Sequence, residues 1–185
     1  MGNIAYITTR EAVAGVSCNW DSWTGAYLTA DEAISAAESE WLHLTKAERN
    51  GCICCAWQLD IPEDYEGDVD PEDYEDQSKL LVALANDCWA NDEGRTTLLH
   101  ARWLAKVDVD KPELQQSGRY VAIGRYLDPF GGQPCRCRVE WDSCPEDLDD
   151  LERGDVYLPG QTEPLDRGDV TMADVNGWVG EDEDE

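Results

Sequence analysis

The sequence predicts an α+β fold in which two or more helices pack on a mostly antiparallel sheet of four to five strands, followed by an acidic C-terminal segment. Two stretches repeat apolar residues at helical spacing behind capping residues, and other stretches alternate apolar with polar residues. A turn rich in Asp, Pro and Gly at residues 128–134 separates two of these alternating stretches. The chain has 185 residues, of which 42% are hydrophobic. We expect a core over residues 1–144, with residues 145–185 wrapping it or forming a partly disordered tail.

The N-terminal part is predicted to alternate strands and helices. A short strand at residues 4–8 precedes a helix that begins after Thr29, forms a capping box with Glu32 and extends to about His43. Thr45 and Glu48 repeat the capping pattern at a short helical turn. Residues 52–60 form a strand whose alternate side chains face opposite ways, and residues 77–91 form the second long helix.

The C-terminal part is predicted to be mainly extended. Within residues 96–110 the apolar residues at 99, 101, 103, 105, 107 and 109 alternate with more polar positions, which favours one strand. Residues 119–127 and 135–142 flank the turn and form a hairpin, and residues 145–153 form a short acidic helix.

The charge is unevenly distributed along the chain. There are 41 acidic and 14 basic residues, giving a net charge of -27. Residues 60–76 contribute -10 and residues 140–185 contribute -15, so 63 residues carry nearly all of it. Such a field repels nucleic acid phosphates and anionic membranes and favours cationic partners, including proteins that bind nucleic acid. We therefore expect no direct nucleic acid and no membrane as partners.

The sequence carries no evident export or membrane signal. The longest strongly apolar run, residues 80–85, is far shorter than the roughly 20 residues a spanning helix needs. Residues 1–10 lack a basic segment followed by an apolar stretch. We expect a cytoplasmic protein.

The eight cysteines leave several alternatives open. If strands 52–60 and 135–142 paired, four thiolates would hold a tetrahedral zinc ion; the candidate ligands are Cys52, Cys54, Cys135 and Cys137. Against zinc, a Cys-x-Cys pair along a strand spreads its sulfurs by roughly 6–7 Å. The cysteines otherwise serve as buried free thiols or, less readily in a reducing compartment, as disulfides.

No catalytic motif is present. The two histidines, His43 and His100, fit a helix end and a strand interior, and acidic residues are too abundant for any pair to indicate acid–base chemistry. We expect a non-enzymatic protein without a cofactor.

Two acidic stretches suggest mimicry of a nucleic acid backbone. Carboxylates spaced i, i+3 and i+4 on a helix lie roughly 5–6 Å apart, near the spacing of successive phosphates. Tyr65 and Tyr74 would stack against side chains that normally receive bases. The expected partner-binding residues are Asp60, Glu63, Asp64, Tyr65, Glu66, Asp68, Asp70, Glu72, Asp73, Tyr74, Glu75, Asp76, Glu146, Asp147, Asp149 and Asp150.

One segment resembles a known class of proteins. Asp64-Tyr65-Glu66-Gly67, then Asp73-Tyr74-Glu75-Asp76 and the helix at residues 79–90 resemble, in that order, a segment of the plasmid antirestriction family. The chain is thereby similar to small acidic DNA-mimicking anti-defence proteins of phages and plasmids, including anti-CRISPR proteins, over about 30 of 185 residues. The resemblance implies inhibition by occupying the DNA- or RNA-binding groove of a restriction or CRISPR complex. If the protein is phage-encoded, we expect it to act in the host cell cytoplasm.

Other functions remain open at this point. One alternative is an acidic adaptor protein, encoded by a mobile element, that binds its partner through an apolar face. Another alternative is a zinc protein whose metal is held by cysteines. Arginines of the predicted hairpin either anchor the acidic segments to the core or form a basic patch for a contact of their own; they are Arg119, Arg125, Arg136 and Arg138.

Overall fold

The computed structural model describes residues 3–13, 24–65, 67–131, 133–174 and 176–179. Within these ranges the chain is mixed α+β with two mostly antiparallel sheets. It divides into two units, Met1–Trp103 and Leu104–Glu185, each built around one sheet.

The first unit contains a four-stranded antiparallel sheet in the order β2–β1–β3–β4. Its strands are β1 (Asn3–Ala12), β2 (Thr24–Tyr27), β3 (Cys52–Ile61) and β4 (Arg95–Trp103). The central strands β1 and β3 pair over their full length, from Asn3 opposite Ile61 to Ala12 opposite Cys52. The predicted strands at 4–8 and 52–60 are confirmed, and the first is longer than expected.

Two helices of fourteen residues cover opposite faces of this sheet: α1 (Ala30–His43) and α3 (Gln77–Ala90). Ala33 and Ala37 of α1 pack on Ala56 of β3, whereas Ala85 and Cys88 of α3 pack on Leu59 and its neighbours. Successive residues of a strand face opposite sides of the sheet. Because a helix covers each side, β3 buries most of its odd-numbered and even-numbered positions. This explains its nearly continuous apolar sequence.

Local capping sets where the helices begin. The Thr29 side chain accepts a hydrogen bond from the Glu32 amide at the start of α1. Thr45 and Glu48 form a complete capping box at the single turn α2 (Lys46–Arg49). Both predicted N-caps are confirmed, as is the second long helix, but the complete box is found at Thr45 and not at Thr29, where the Glu32 carboxylate accepts from the Thr29 hydroxyl.

The second unit contains a six-stranded sheet in the order β10–β5–β7–β8–β9, with β6 pairing beside β5 on the same edge of β7. Its strands are β5 (Ala105–Val109), β6 (Glu113–Leu114), β7 (Tyr120–Tyr126), β8 (Cys135–Trp141), β9 (Asp155–Tyr157) and β10 (Val170–Asp174). Only β10 and β5 run parallel to each other among the described strands. The β7–β8 pair is the predicted hairpin.

One face of this sheet forms the core of the second unit. Val107 and Val109 are buried while Asp108 between them is exposed. This alternation is typical of a strand that buries only one of its two faces. The indole nitrogen of Trp141 donates to the Leu151 carbonyl at 3.1 Å. A Cβ on Gly154 would lie 2.6 Å from the Trp141 ring, so this position requires glycine.

The structure corrects the prediction of a single sheet. Residues 96–110 are not one strand, because β4 pairs with β3 while β5 pairs with β7 and β10. Leu104 stands between them and is buried, and the apolar odd-numbered positions keep the same phase on both sides of it, so the alternation alone does not show the break. The strands divide into sheets of four and six instead of one of four to five.

The described part of the C-terminal segment contains one short helix and two strands. The predicted helix at 145–153 is limited to α4 (Leu148–Leu151), with Asp147 as its cap. Residues 155–157 and 170–174 are strands of the second sheet. The prediction placed a boundary after residue 144, whereas the structure divides the chain after Trp103. Residues 180–185 of the predicted tail lie outside the described residues.

Across the described residues, no helix combines the length and the apolar character that crossing a bilayer requires.

Candidate functional site

Residues 61–76, here called the acidic loop, join β3 to α3 and contain nine carboxylates and no basic residue. Glu66 lies outside the described residues. Asp60, which precedes the loop in β3, is half-buried and accepts a 2.8 Å hydrogen bond from Gln58. The other described carboxylates of the loop are exposed; they are Glu63, Asp64, Asp68, Asp70, Glu72, Asp73, Glu75 and Asp76.

The loop is attached to α3 through Asp87. Oδ2 of Asp87 accepts the Tyr65 hydroxyl at 2.6 Å and the backbone N–H of Asp68 at 3.0 Å. The Asn91 amide, one turn further along, lies 3.3 Å from the Tyr65 hydroxyl and donates to it. Three hydrogen bonds therefore join the first half of the loop to one face of the helix.

Close packing accompanies these hydrogen bonds. The ring of Tyr65 packs with Leu81, Leu84 and Trp89 against the core of the first unit. Gly67 has φ +47, and a Cβ there would lie 2.5 Å from Asp87 Oδ2 and 2.7 Å from the Tyr65 ring. Glycine is therefore required at this position both for its backbone conformation and for the space.

The same contacts shift two pKa values in opposite directions. The hydrogen bond from Tyr65, supported by the Asp68 amide, holds the pKa of Asp87 below its ordinary value. The hydrogen bond to Asp87 raises the pKa of Tyr65 above its ordinary value. Both shifts favour the pair of an ionised carboxylate and a neutral phenol.

The second half of the loop is ordered by its own carboxylates. Asp70 accepts from the Glu72 amide at 2.9 Å and caps a 3-10 turn, Pro71–Asp73. Asp76 accepts from the Ser78 amide at 2.8 Å and is the N-cap of α3. Carboxylates at a helix N-terminus are favoured by its dipole, so the position of this charge cluster stabilises α3.

Seven exposed carboxylates of the loop have no ion-pair partner in the described part of the chain. No ion pair with Lys or Arg is formed there by Asp64, Asp68, Asp70, Glu72, Asp73, Glu75 or Asp76. Their negative field is therefore not neutralised within the first unit and is available to a cationic partner.

The tyrosines of the loop differ in their surroundings. Tyr65 directs its hydroxyl to Asp87 and its ring to the core, so the structure uses it as an internal anchor. Tyr74 is half-buried at the end of the 3-10 turn, where its backbone N–H donates to the Pro71 carbonyl.

The second acidic group, at residues 146–150, belongs to the other unit. Glu146 and Asp149 are exposed. Asp147 accepts from the Asp150 amide at 2.7 Å, and Asp150 pairs with Arg153 at 2.8 Å. Because α4 begins only at Leu148, Glu146 does not share a helix with Asp149 and Asp150 as the spacing predicted.

The hairpin arginines act mainly as internal anchors. Arg119 contacts Glu140 at 2.6 Å, Asp142 at 3.1 Å and Asp155 at 3.4 Å. Arg125 pairs with Asp110 at 2.7 Å, and Arg138 pairs with Glu140 at 3.0 Å. Arg136 makes no ion pair with any described carboxylate.

The cysteine strands are not neighbours in one sheet. Cys52 and Cys54 lie on β3 of the first sheet, whereas Cys135 and Cys137 lie on β8 of the second, so the strand pairing assumed for a zinc site does not occur. Among the described residues, no three His, Cys, Asp or Glu side chains are grouped as metal ligands.

The histidines take part in local contacts. Nδ1 of His43 lies 2.5 Å from the Ser39 carbonyl at the end of α1. Nε2 of His100 lies 2.5 Å from Glu38, which also pairs with Arg102 at 3.0 Å, joining β4 to α1.

Sequence reasoning found the exposed carboxylates of the loop but missed Asp87 and Asn91, which position it. Both are polar residues near the end of an amphipathic helix, where such residues are common, and nothing in their spacing links them to Tyr65. Comparisons of the chain with protein families, with curated proteins and with solved structures found no match.

Proposed function

We propose that the acidic loop mimics a nucleic acid backbone and that the protein, without catalysing a reaction, blocks the DNA- or RNA-binding groove of a host defence complex such as a restriction or CRISPR complex. The observation that carries this proposal is a loop of exposed, unneutralised carboxylates that is held in place by internal hydrogen bonds.

The concentration of charge supports a local electrostatic contact. The first unit has a net charge of -14, and the acidic loop supplies -9 of it from sixteen residues. A groove lined by Lys and Arg that normally binds phosphates would bind such a surface through the same salt-sensitive attraction. Binding would weaken steeply as salt is raised.

The attachment of the loop supports affinity. A freely moving acidic peptide loses conformational entropy when it binds, and this loss offsets much of the electrostatic gain. Tyr65, Asp87 and the caps at Asp70 and Asp76 order the loop before any partner arrives. The loop would then bind more tightly than the same sequence as an isolated peptide.

The test removes charge from the loop without disturbing its anchors. The variant D64N/E72Q/D73N/E75Q changes four exposed carboxylates whose side chains accept no hydrogen bond within the described residues. A matched control, D31N/D92N/E93Q/E163Q, changes the net charge equally at exposed positions outside the loop. Each protein is expressed in bacterial strains that carry a restriction or CRISPR system, and phage plating efficiency is measured.

We expect the natural sequence and the control to restore phage plating in a responsive strain and the loop variant to lose that effect. With the purified defence complex, duplex DNA and the protein should compete for one site. Simultaneous binding of DNA and protein without interference would rule out mimicry.

A second candidate function is an adaptor that binds through the β4 edge of the first sheet. β4 is the last strand in the sheet order, and Leu98 and Leu99 on it are 40% and 37% exposed. Edge strands present unpaired backbone groups to other chains. For an adaptor, the substitutions L98S/L99S would abolish partner binding while the loop variant would leave it intact.

A further inference from the structure

The outer edge of β8 is covered over only part of its length. β9 pairs with Arg138, Val139 and Glu140 and then ends. Pro159 and Gly160 turn the chain, with Gly160 at φ +80 and the Gln161 N–H donating to the Leu158 carbonyl at 3.0 Å. Residues 135–137 of β8 therefore have no strand beside them on this edge among the described residues. An uncovered strand edge offers backbone donors and acceptors to an added strand.

A groove of about 330 Å³ lies between this uncovered end of β8 and the turn at residues 158–161. Its walls include Ile123, Arg136, Arg138, Tyr157 and Leu158. The groove is shallow, since Ile123 is 50% exposed and the Arg138 side chain 55% exposed. Small-molecule sites usually bury most of their ligand, so this shape suits an extended peptide better.

The charge of the groove is opposite to that of the chain. Arg138 lies over the Tyr157 ring at 4.6 Å and pairs with Glu140. Arg125, opposite Arg136 in the β7–β8 register, is paired with Asp110. Arg136 has no ion-pair partner among the described residues, so the groove presents one uncompensated positive charge. Its complement is a carboxylate.

A nucleic acid is a poorer complement to this groove than a peptide is. The second unit has a net charge of -13, which repels a polyanion over its whole length. A peptide segment with one acidic residue meets little of that repulsion and also forms strand hydrogen bonds.

We propose that the groove binds an extended segment of another protein, which adds as a strand to residues 135–137 of β8 and places an Asp or Glu side chain on Arg136. Apolar side chains of the same segment contact Ile123 and Leu158. This contact is independent of the acidic loop and does not rest on mimicry.

The experiment measures retention of the labelled full chain on an array of pentapeptides. Each peptide has Val and Thr flanks and a central Glu, Asp, Gln or Lys. We expect the central acids to be retained about fivefold to tenfold better than Gln, since a charge-assisted bidentate pair replaces a neutral contact. N-methylation of alternate backbone nitrogens should abolish retention, because it removes strand hydrogen bonds.

Charge reversal provides the decisive comparison. R136E should shift the preference from acidic to Lys peptides. R153E makes the same change of net charge at an exposed arginine outside the groove and should keep the acidic preference. Circular dichroism verifies that both variants fold. The proposal is overturned if no acidic peptide exceeds Gln, if R136E keeps the acidic preference, or if single-stranded DNA binds the groove in place of peptide.

Discussion

The hydroxyl of Tyr65 donates a 2.6 Å hydrogen bond to Asp87, a residue of α3 that lies 22 positions further along the chain. The same carboxylate oxygen accepts the Asp68 amide. One acidic side chain thus orders the segment that presents the others. The carboxylates of this region therefore have two roles. Asp87 holds the loop in position, and the exposed carboxylates of the loop produce the negative electrostatic field.

Removing the Tyr65 hydroxyl should loosen the loop without unfolding the unit. In Tyr65→Phe the ring keeps its apolar contacts, but Asp87 loses one of its hydrogen-bond donors and keeps the Asp68 amide. We expect the Asp68 amide to exchange with solvent about fivefold to tenfold faster, as the loss of one such hydrogen bond implies. Hydrogen exchange followed by NMR measures this rate.

Tyr74→Phe is the matched control for that experiment. The Tyr74 hydroxyl forms no hydrogen bond within the described residues, so its removal should leave exchange of the Asp68 amide unchanged. Equal effects of the two substitutions would contradict the anchoring role of Tyr65.

The anchor should weaken in acid. Because its hydrogen bonds lower the pKa of Asp87 in the folded state, the carboxylate stabilises the fold fully above the unfolded pKa, about 3.9, and loses this effect as pH falls through the folded value. The Tm difference between the natural sequence and Asp87→Asn should be constant from about pH 5.5 to 8 and shrink below about pH 4. Thermal unfolding followed by circular dichroism provides the values. A difference that stays constant to pH 2.5 would exclude this linkage.

Gly67 should tolerate no side chain. Gly67→Ala places a Cβ against Asp87 and Tyr65 in a backbone conformation that itself costs about 1–2 kcal/mol for a residue with a Cβ. Gly177 also has a positive φ, +68, but an added Cβ would have open space around it. Gly177→Ala should therefore lower the free energy of unfolding only through the backbone conformation. Urea denaturation should show the larger loss for Gly67→Ala, and a larger loss for Gly177→Ala would contradict the packing argument.

Features encoded by short-range patterns were predictable from the sequence. The caps at Thr29 and Thr45 need only residues three positions apart, and the two faces of β3 follow from simple alternation. The hairpin of β7 and β8 follows from the turn residues between two strands.

Features that depend on distant partners were not predictable. The apolar odd-numbered positions keep their phase from Ala101 to Val107, and one additional apolar residue, Leu104, does not by itself mark a change from one sheet to the next. Asp87 resembles any polar helix residue until Tyr65 is placed beside it. Likewise, Arg119 and Arg136 lie on the same hairpin, but only the register shows that one meets three carboxylates and the other none among the described residues.

Cysteine reactivity should follow burial. Burial raises the pKa of Cys55 to about 12, with a smaller effect of Glu11, and burial raises that of Cys137 to about 11, whereas Cys144 is exposed. Since the thiolate is the reactive form, iodoacetamide at pH 8 should modify Cys144 at least about a hundredfold faster than Cys55 or Cys137. Peptide-resolved mass spectrometry assigns each modification, and labelling in urea should remove the differences. Equal rates for Cys137 and Cys144 in the native protein would contradict the placement of Cys137 in the core of the second sheet.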